Sequence, residues 1–280
     1  MIKFGVHIPN FGHFGEPAAV VELAQVAERA GWDGLFLWDH IRWEHDAWPV
    51  VDPWIALAAA AHATSKLRLG TMITPLARRR PWKVARETVS LDRLSGGRVI
   101  FGAGLGWGSD VEFAALGDEA DDRLRAAMLD EGLAVISGLW SARPFSFSGE
   151  HFTINDVTFL PGPLQTPRIP VWIAGLWPNR RPFRRAARWD GVFPERLSGG
   201  TLSPAEVADI AAFVREEGCD ETSFDIAIGG YSTSSQSYEE QFGAYERSGL
   251  TWWLERMDPS RGLSSLETFE LVGAGPPKRS

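Results

Sequence analysis

Short apolar runs alternate along this chain with longer stretches whose apolar residues recur every three or four positions, and turn residues separate the two. The runs predict eight strands: Lys3–Ile8, Gly34–Trp38, Leu67–Thr74, Val99–Gly102, Val171–Ala174, Gly191–Pro194, Asp225–Gly230 and Thr251–Leu254. Gly34–Trp38 is apolar on both faces, as suits a parallel strand covered by helices. The periodic stretches predict eight helices: Ala18–Ala30, Trp54–Thr64, Pro81–Leu94, Arg123–Leu139, Arg181–Arg188, Pro204–Glu217, Ser237–Ser248 and Leu263–Leu271. In the first of these Val20, Leu23, Ala24 and Ala27 form one apolar face that stops at Gly31. Asp52 and Ser203 sit where an N-cap oxygen is needed, and Pro53 takes the first helical position.

Strict strand–helix alternation gives right-handed crossovers, which either open as a doubly wound sheet or close as a barrel. Eight repeats favour closure, so the expected fold is an α/β (β/α)8 TIM barrel forming one domain over residues 1–280. Residues 143–170, rich in proline and turn residues with short β-like pieces, break the rhythm and read as an irregular insertion.

Composition narrows the function classes. A net charge of −8, with the arginines mostly scattered among acids, disfavours nucleic acid or an anionic membrane surface as a partner, since polyanions need a basic face. One cysteine, Cys219, allows neither an intramolecular disulfide nor a cysteine metal cluster. No stretch approaches the ~20 apolar residues of a membrane span, and the start, MIKFGVHIPNFG, reads as a strand rather than a signal peptide. A soluble, cytoplasmic enzyme is expected. The thirteen tryptophans stand out, because Trp38, Trp43, Trp48, Trp107, Trp172 and Trp177 follow predicted strands and suggest an aromatic-walled pocket.

Barrel chemistry sits on the loops after the strands. The second strand ends in Asp39-His40, a candidate proton-handling pair. The third leads through Thr71-Met72-Ile73 to Thr74-Pro75 and the loop LARRR. LDRLSGGR, from Leu91 to Arg98, precedes the fourth, which exits through Gly102, Gly104, Leu105, Gly106 and Trp107. That spacing is GxGxG and opens no immediate helix, so it is not a dinucleotide fingerprint. The fifth strand runs PVWIAG to Gly175 and Leu176, just before a helix.

In this order and spacing the motifs resemble the luciferase-like monooxygenase superfamily, with LDRLSGGR and the glycine-rich exit to Trp107 as the most specific mark. The resemblance covers about residues 1–200. It implies a (β/α)8 barrel whose mouth holds reduced FMN or the deazaflavin coenzyme F420. It further implies a cis peptide in a bulge after the third strand, which the Thr-Pro alignment would place between Thr71 and Met72. Asp39-His40 followed by Ile41 matches the deazaflavin-dependent members better than the Glu-His-His of flavin enzymes. By the same resemblance Asp39, His40, Thr71, Met72, Gly104, Leu105, Gly106, Trp107, Gly175 and Leu176 would contact the cofactor. His40 would exchange a proton, with Asp39 fixing its tautomer. Gly175 and Leu176, aided by Arg180 or Arg181, would hold the phosphate.

Sugar-phosphate dehydrogenases of this kind carry a glutamate after the fourth strand, where Leu105 stands here, so a small apolar or aromatic substrate is the better expectation. The reaction would be hydride transfer or monooxygenation, with a separate reductase as a possible partner and a homodimer as the expected assembly. A barrel that binds the cofactor without turning it over is the alternative. A metal-dependent hydrolase is disfavoured, because His7, His13, His40, His45, His62 and His151 form no HxH or HxxxH pair at strand ends. A glycosidase would need two acids at strand ends, and GAGLGW and GGYS supply none. Gly229-Gly230 could hold a phosphate or make a tight turn.

Overall fold

The computed structural model describes residues 1–43, 48–220, 222–233 and 235–278. Eight parallel strands close into a barrel in the order β1 (Lys3–Ile8), β10 (Trp252–Arg256), β9 (Asp225–Gly230), β8 (Gly191–Arg196), β7 (Val171–Trp177), β4 (Val99–Gly104), β3 (Arg68–Pro75) and β2 (Gly34–Leu37). The surrounding helices are α1 (Pro17–Ala30), α2 (Pro53–Ala63), α3 (Pro81–Ser95), α4 (Asp122–Trp140), α5 (Arg180–Ala186), α6 (Pro204–Glu216), α7 (Tyr238–Arg247) and α8 (Ser265–Gly273). The fold and its order are those the periodicity predicts. Asp52 caps α2 by accepting from the amides of Trp54 and Ile55, and Ser203 forms a capping box with Glu206 on α6. No helix among the described residues is long and apolar enough to cross a membrane.

The insertion is more regular than its composition suggests. β5 (Phe145–Ser148) and β6 (Thr153–Val157) pair as an antiparallel hairpin, and the following loop is pinned to the barrel by the LDRLSGGR segment. Buried Asp92 accepts from the backbone amide of Leu164 (2.7 Å) and from the Gln165 side chain (2.8 Å). Arg98 donates to the carbonyls of Ala61, Leu67 and Thr64. The most distinctive motif in the chain therefore does architectural work, tying α2, α3 and the insertion to the barrel.

Two apolar layers form the core. One lies between barrel and helices; the other fills the barrel with Phe36, Met72, Ile100, Trp172, Phe193, Ala227, Trp252 and Leu254. Phe36 stacks on Trp172 (5.6 Å) and meets Trp252 edge-on (5.7 Å), so the interior is plugged between a cavity at the C-terminal mouth and a second one at the N-terminal end beside Lys3, Arg68 and Asp225. Trp172 is thus a floor residue, not a pocket wall. Trp177 also leaves the pocket, buried against Phe183 (5.0 Å) and Phe213.

β3 carries the expected bulge, but its cis peptide joins Met72 and Ile73, one residue later than the Thr-Pro alignment placed it. Thr71 is still in register with Phe101, and Thr74 with Ala103, so the extra residue falls after Thr71, with Met72 and Ile73 both facing Gly102. A Cβ on Gly102 would lie 2.0 Å from the Thr71 carbonyl oxygen, which is why glycine stands there. Gly229 and Gly230 lie inside β9 and are packing glycines too, not a tight turn: side chains there would strike Arg256 and Trp253.

Trp172→Ala should empty the centre of the barrel plug. We expect a loss of about 3–5 kcal/mol in urea unfolding; a loss under about 1 kcal/mol would mean the interior layer collapses around the gap.

Candidate active site

A cavity of about 730 Å3 opens at the C-terminal ends of the barrel strands. Of the residues expected there, Asp39, His40, Met72, Leu105, Gly106, Trp107, Gly175 and Leu176 line it. Thr71 and Gly104 do not. Thr71 is fully buried with its hydroxyl 2.8 Å from that of Thr74, and Gly104 packs on Ile73 and Ala174. Trp38, Trp43 and Trp107 form the aromatic wall, whereas Trp48 lies behind it against Phe11. His45 lies outside the described residues.

The surroundings of the candidate proton-handling residue differ from the sequence expectation. His40 is fixed at its backbone by Asn10, whose side chain donates to the His40 carbonyl (2.7 Å) and accepts from its amide (3.1 Å). Its Nδ1 lies 2.9 Å from Glu112, and no bond joins it to Asp39. Glu112, not Asp39, therefore sets the tautomer, since a carboxylate accepts the Nδ1 proton and leaves Nε2 as the other ring nitrogen. Glu112 comes from a π-helical turn, Ser109–Phe113, in the loop after β4. The loop does bring an acid to the mouth, seven residues beyond Leu105, and nothing in the local spacing marked it.

Asp39 instead belongs to a buried ion cluster. Arg78 reaches Glu112 (2.8 Å), the Asp39 carboxylate (3.1 Å) and the Asp39 carbonyl, while Arg79 adds a second bond to Asp39 (2.8 Å). Both arginines come from the LARRR loop, whose cationic run was the available signal for them. Burial raises the Glu112 pKa, but His40 and Arg78 outweigh it and hold the carboxyl below its ordinary value. The stability Glu112 contributes is then complete above its unfolded value near 4.5 and is lost as pH falls below it.

Several lining residues carry buried polar atoms without a protein partner: Asp39 Oδ2, His7 Nδ1, Trp38 Nε1, and Nε and Nη1 of Arg125. Arg125 projects from the first turn of α4, buried, with Nη2 shared between Ser109 (2.7 Å) and the Asp122 carboxylate and its guanidinium 4.0 Å from the Phe113 ring. Arg180 and Arg181, expected at the phosphate, do not line the cavity. Arg180 lies over Phe213 (4.7 Å), and Arg185 and Asn179 face the mouth instead.

The family model of luciferase-like monooxygenases matches residues 2–263. The chain belongs to this family. An F420-dependent glucose-6-phosphate dehydrogenase from Beutenbergia cavernae is 33% identical over 58% of this chain and 48% of its own. An F420-dependent hydroxymycolic acid dehydrogenase from Mycobacterium tuberculosis is 33% identical over 57% and 44%. The matches thus span about half the length of these relatives. Among solved structures, an F420-dependent secondary alcohol dehydrogenase with an F420–acetone adduct superposes with a TM-score of 0.76 at 19% identity, covering 98% of this chain and 99% of that one. A monooxygenase from Streptomyces bottropensis gives 0.72 at 21%, over 97% and 98%. The luciferase-like fold is common to them all.

In this luciferase-like barrel Arg78 joins two buried carboxylates. Arg78→Met should cost about 3–5 kcal/mol in urea unfolding at pH 7, the range for breaking a buried ion pair. A cost near zero would show that the cluster relaxes or takes up protons.

Proposed function

We propose that this luciferase-like protein is an oxidoreductase that uses F420 or FMN to transfer hydride to, or monooxygenate, a small apolar or aromatic substrate. The observation that carries this reading is the set of unpartnered buried polar atoms on the cavity wall. Asp39 offers an acceptor and Arg125 a cationic donor, so the ligand that fits has N–H or O–H groups in one part and an anion in another. A flavin or deazaflavin phosphate has both. Bound there, the reduced ring supplies hydride or, for the flavin, the electrons that activate dioxygen.

Each residue has a defined task in this reading. Arg125, with Ser109, Asn179 and Arg185 nearby, holds the phosphate, and Gly175 and Leu176 leave room for the chain that leads to it. Met72 and Ile73 back the ring. Glu112 keeps the proton on His40 Nδ1, and Nε2 exchanges a proton with the substrate's reacting oxygen. Trp43, Trp107, Leu105 and Phe193 exclude water and favour an apolar substrate. The relatives named for F420 and the Asp39-His40-Ile41 sequence support the deazaflavin over FMN.

A cytoplasmic location fits the single cysteine. A separate reductase would supply the reduced cofactor. The assembly we expect is a homodimer: light scattering of the eluted peak should give twice the chain mass, and a monomer at micromolar concentration would reject the dimer.

Titration of the full chain with F420 and with FMN, followed by tryptophan quenching, tests the cofactor. Arg125→Leu should weaken FMN by about tenfold or more, the scale of a lost charge-assisted bond, and leave riboflavin, which lacks the phosphate, unchanged. Equal losses for both would remove Arg125 from the phosphate site. Binding of neither cofactor by folded protein would end the reading.

A further inference from the structure

His7 and Trp38 stand side by side at the ends of the first two strands, ring centroids 5.8 Å apart, and both line the cavity. His7 is buried, and its Nε2 lies 3.3 Å from the Met72 carbonyl oxygen in the β3 bulge. A carbonyl only accepts, so Nε2 carries the proton and Nδ1 keeps a lone pair. Burial, reinforced by the Arg256 guanidinium, lowers the His7 pKa to about 3, and the ring is neutral in any ordinary buffer. Neither Nδ1 of His7 nor Nε1 of Trp38 has a partner, and neither is open to solvent. One of these atoms can only accept and the other only donate. Together they address a group that presents N–H beside C=O.

We propose that His7 and Trp38 recognise the imide edge of the cofactor ring, with Nδ1 accepting from the imide N–H and the indole N–H donating to a neighbouring carbonyl. The proposal rests on the cofactor reading above, since flavin and deazaflavin share a pyrimidinedione end. It assigns both residues to cofactor selection and leaves proton exchange to His40. A ring without the imide N–H would leave the Nδ1 lone pair buried and unsatisfied, which a site built for hydrogen bonding penalises strongly.

The test titrates the full chain with FMN, with F420 and with the analogue of each methylated at the imide nitrogen, reading tryptophan quenching. Wild-type protein should bind the parent compound about tenfold or more tightly than its methylated form. His7→Gln keeps a donor for the Met72 carbonyl but has no acceptor in place of Nδ1. It should weaken the parent and abolish the difference, whereas His7→Asn, with an oxygen at the δ position, should restore part of it. Trp38→Phe removes the indole N–H together with part of the ring and should weaken the parent and the methylated form alike, by about tenfold, which supplies a second reading should His7→Gln not fold. Equal wild-type affinity for parent and methylated forms, or a difference that persists in His7→Gln, overturns the proposal and leaves the cofactor reading standing. Unchanged parent affinity in Trp38→Phe removes the indole from the clamp. Binding of neither parent overturns both together.

Discussion

The mouth of this barrel is organised around one guanidinium. Arg78 lies almost fully buried between Glu112 and Asp39, and its position fixes three segments at once: the exit of β2, the loop after β3 and the turn after β4. Buried charges are tolerated only when each finds partners of good geometry, so the three loops have one mutual arrangement that satisfies them. His40 inherits its orientation from that arrangement, because the same carboxylate that pairs with Arg78 also accepts from its ring. The orientation of His40 and the packing of the loops here have a single cause.

Beneath that cluster the barrel is closed by rings. Phe36, Trp172 and Trp252 leave no path through the interior, so the cavity has a rigid apolar floor and a polar rim. The bulge in β3 rises from this floor and turns Met72 and Ile73 into the mouth. Such a cavity presents apolar side chains on its floor and a few buried polar atoms at its walls, the usual make-up of a small-molecule pocket. The motif that most clearly marks the family, LDRLSGGR, stands away from all of this. Asp92 and Arg98 bind backbone groups of the insertion and of α2, and their contribution is to hold the scaffold on which the mouth is built.

The sequence by itself determined the barrel, because strand and helix periods are local properties and eight alternations leave few ways to close. The same local pattern marked the exits of β2, β3, β4 and β7 that line the cavity, since a strand end is legible wherever an apolar run meets glycine, proline or a charged pair. Which side chains meet was settled by the folded backbone alone. Asp39 is next to His40 in the chain, yet successive residues at a strand end point to different sides, and Asp39 turns to the arginines. Glu112 lies 72 positions from its histidine and reaches it through an irregular turn with no periodicity to read. His7 is one more residue in an apolar strand until the fold sets its ring against the bulge. Partnerships between distant residues depend on the path of the backbone through space, and local pattern carries no record of that path.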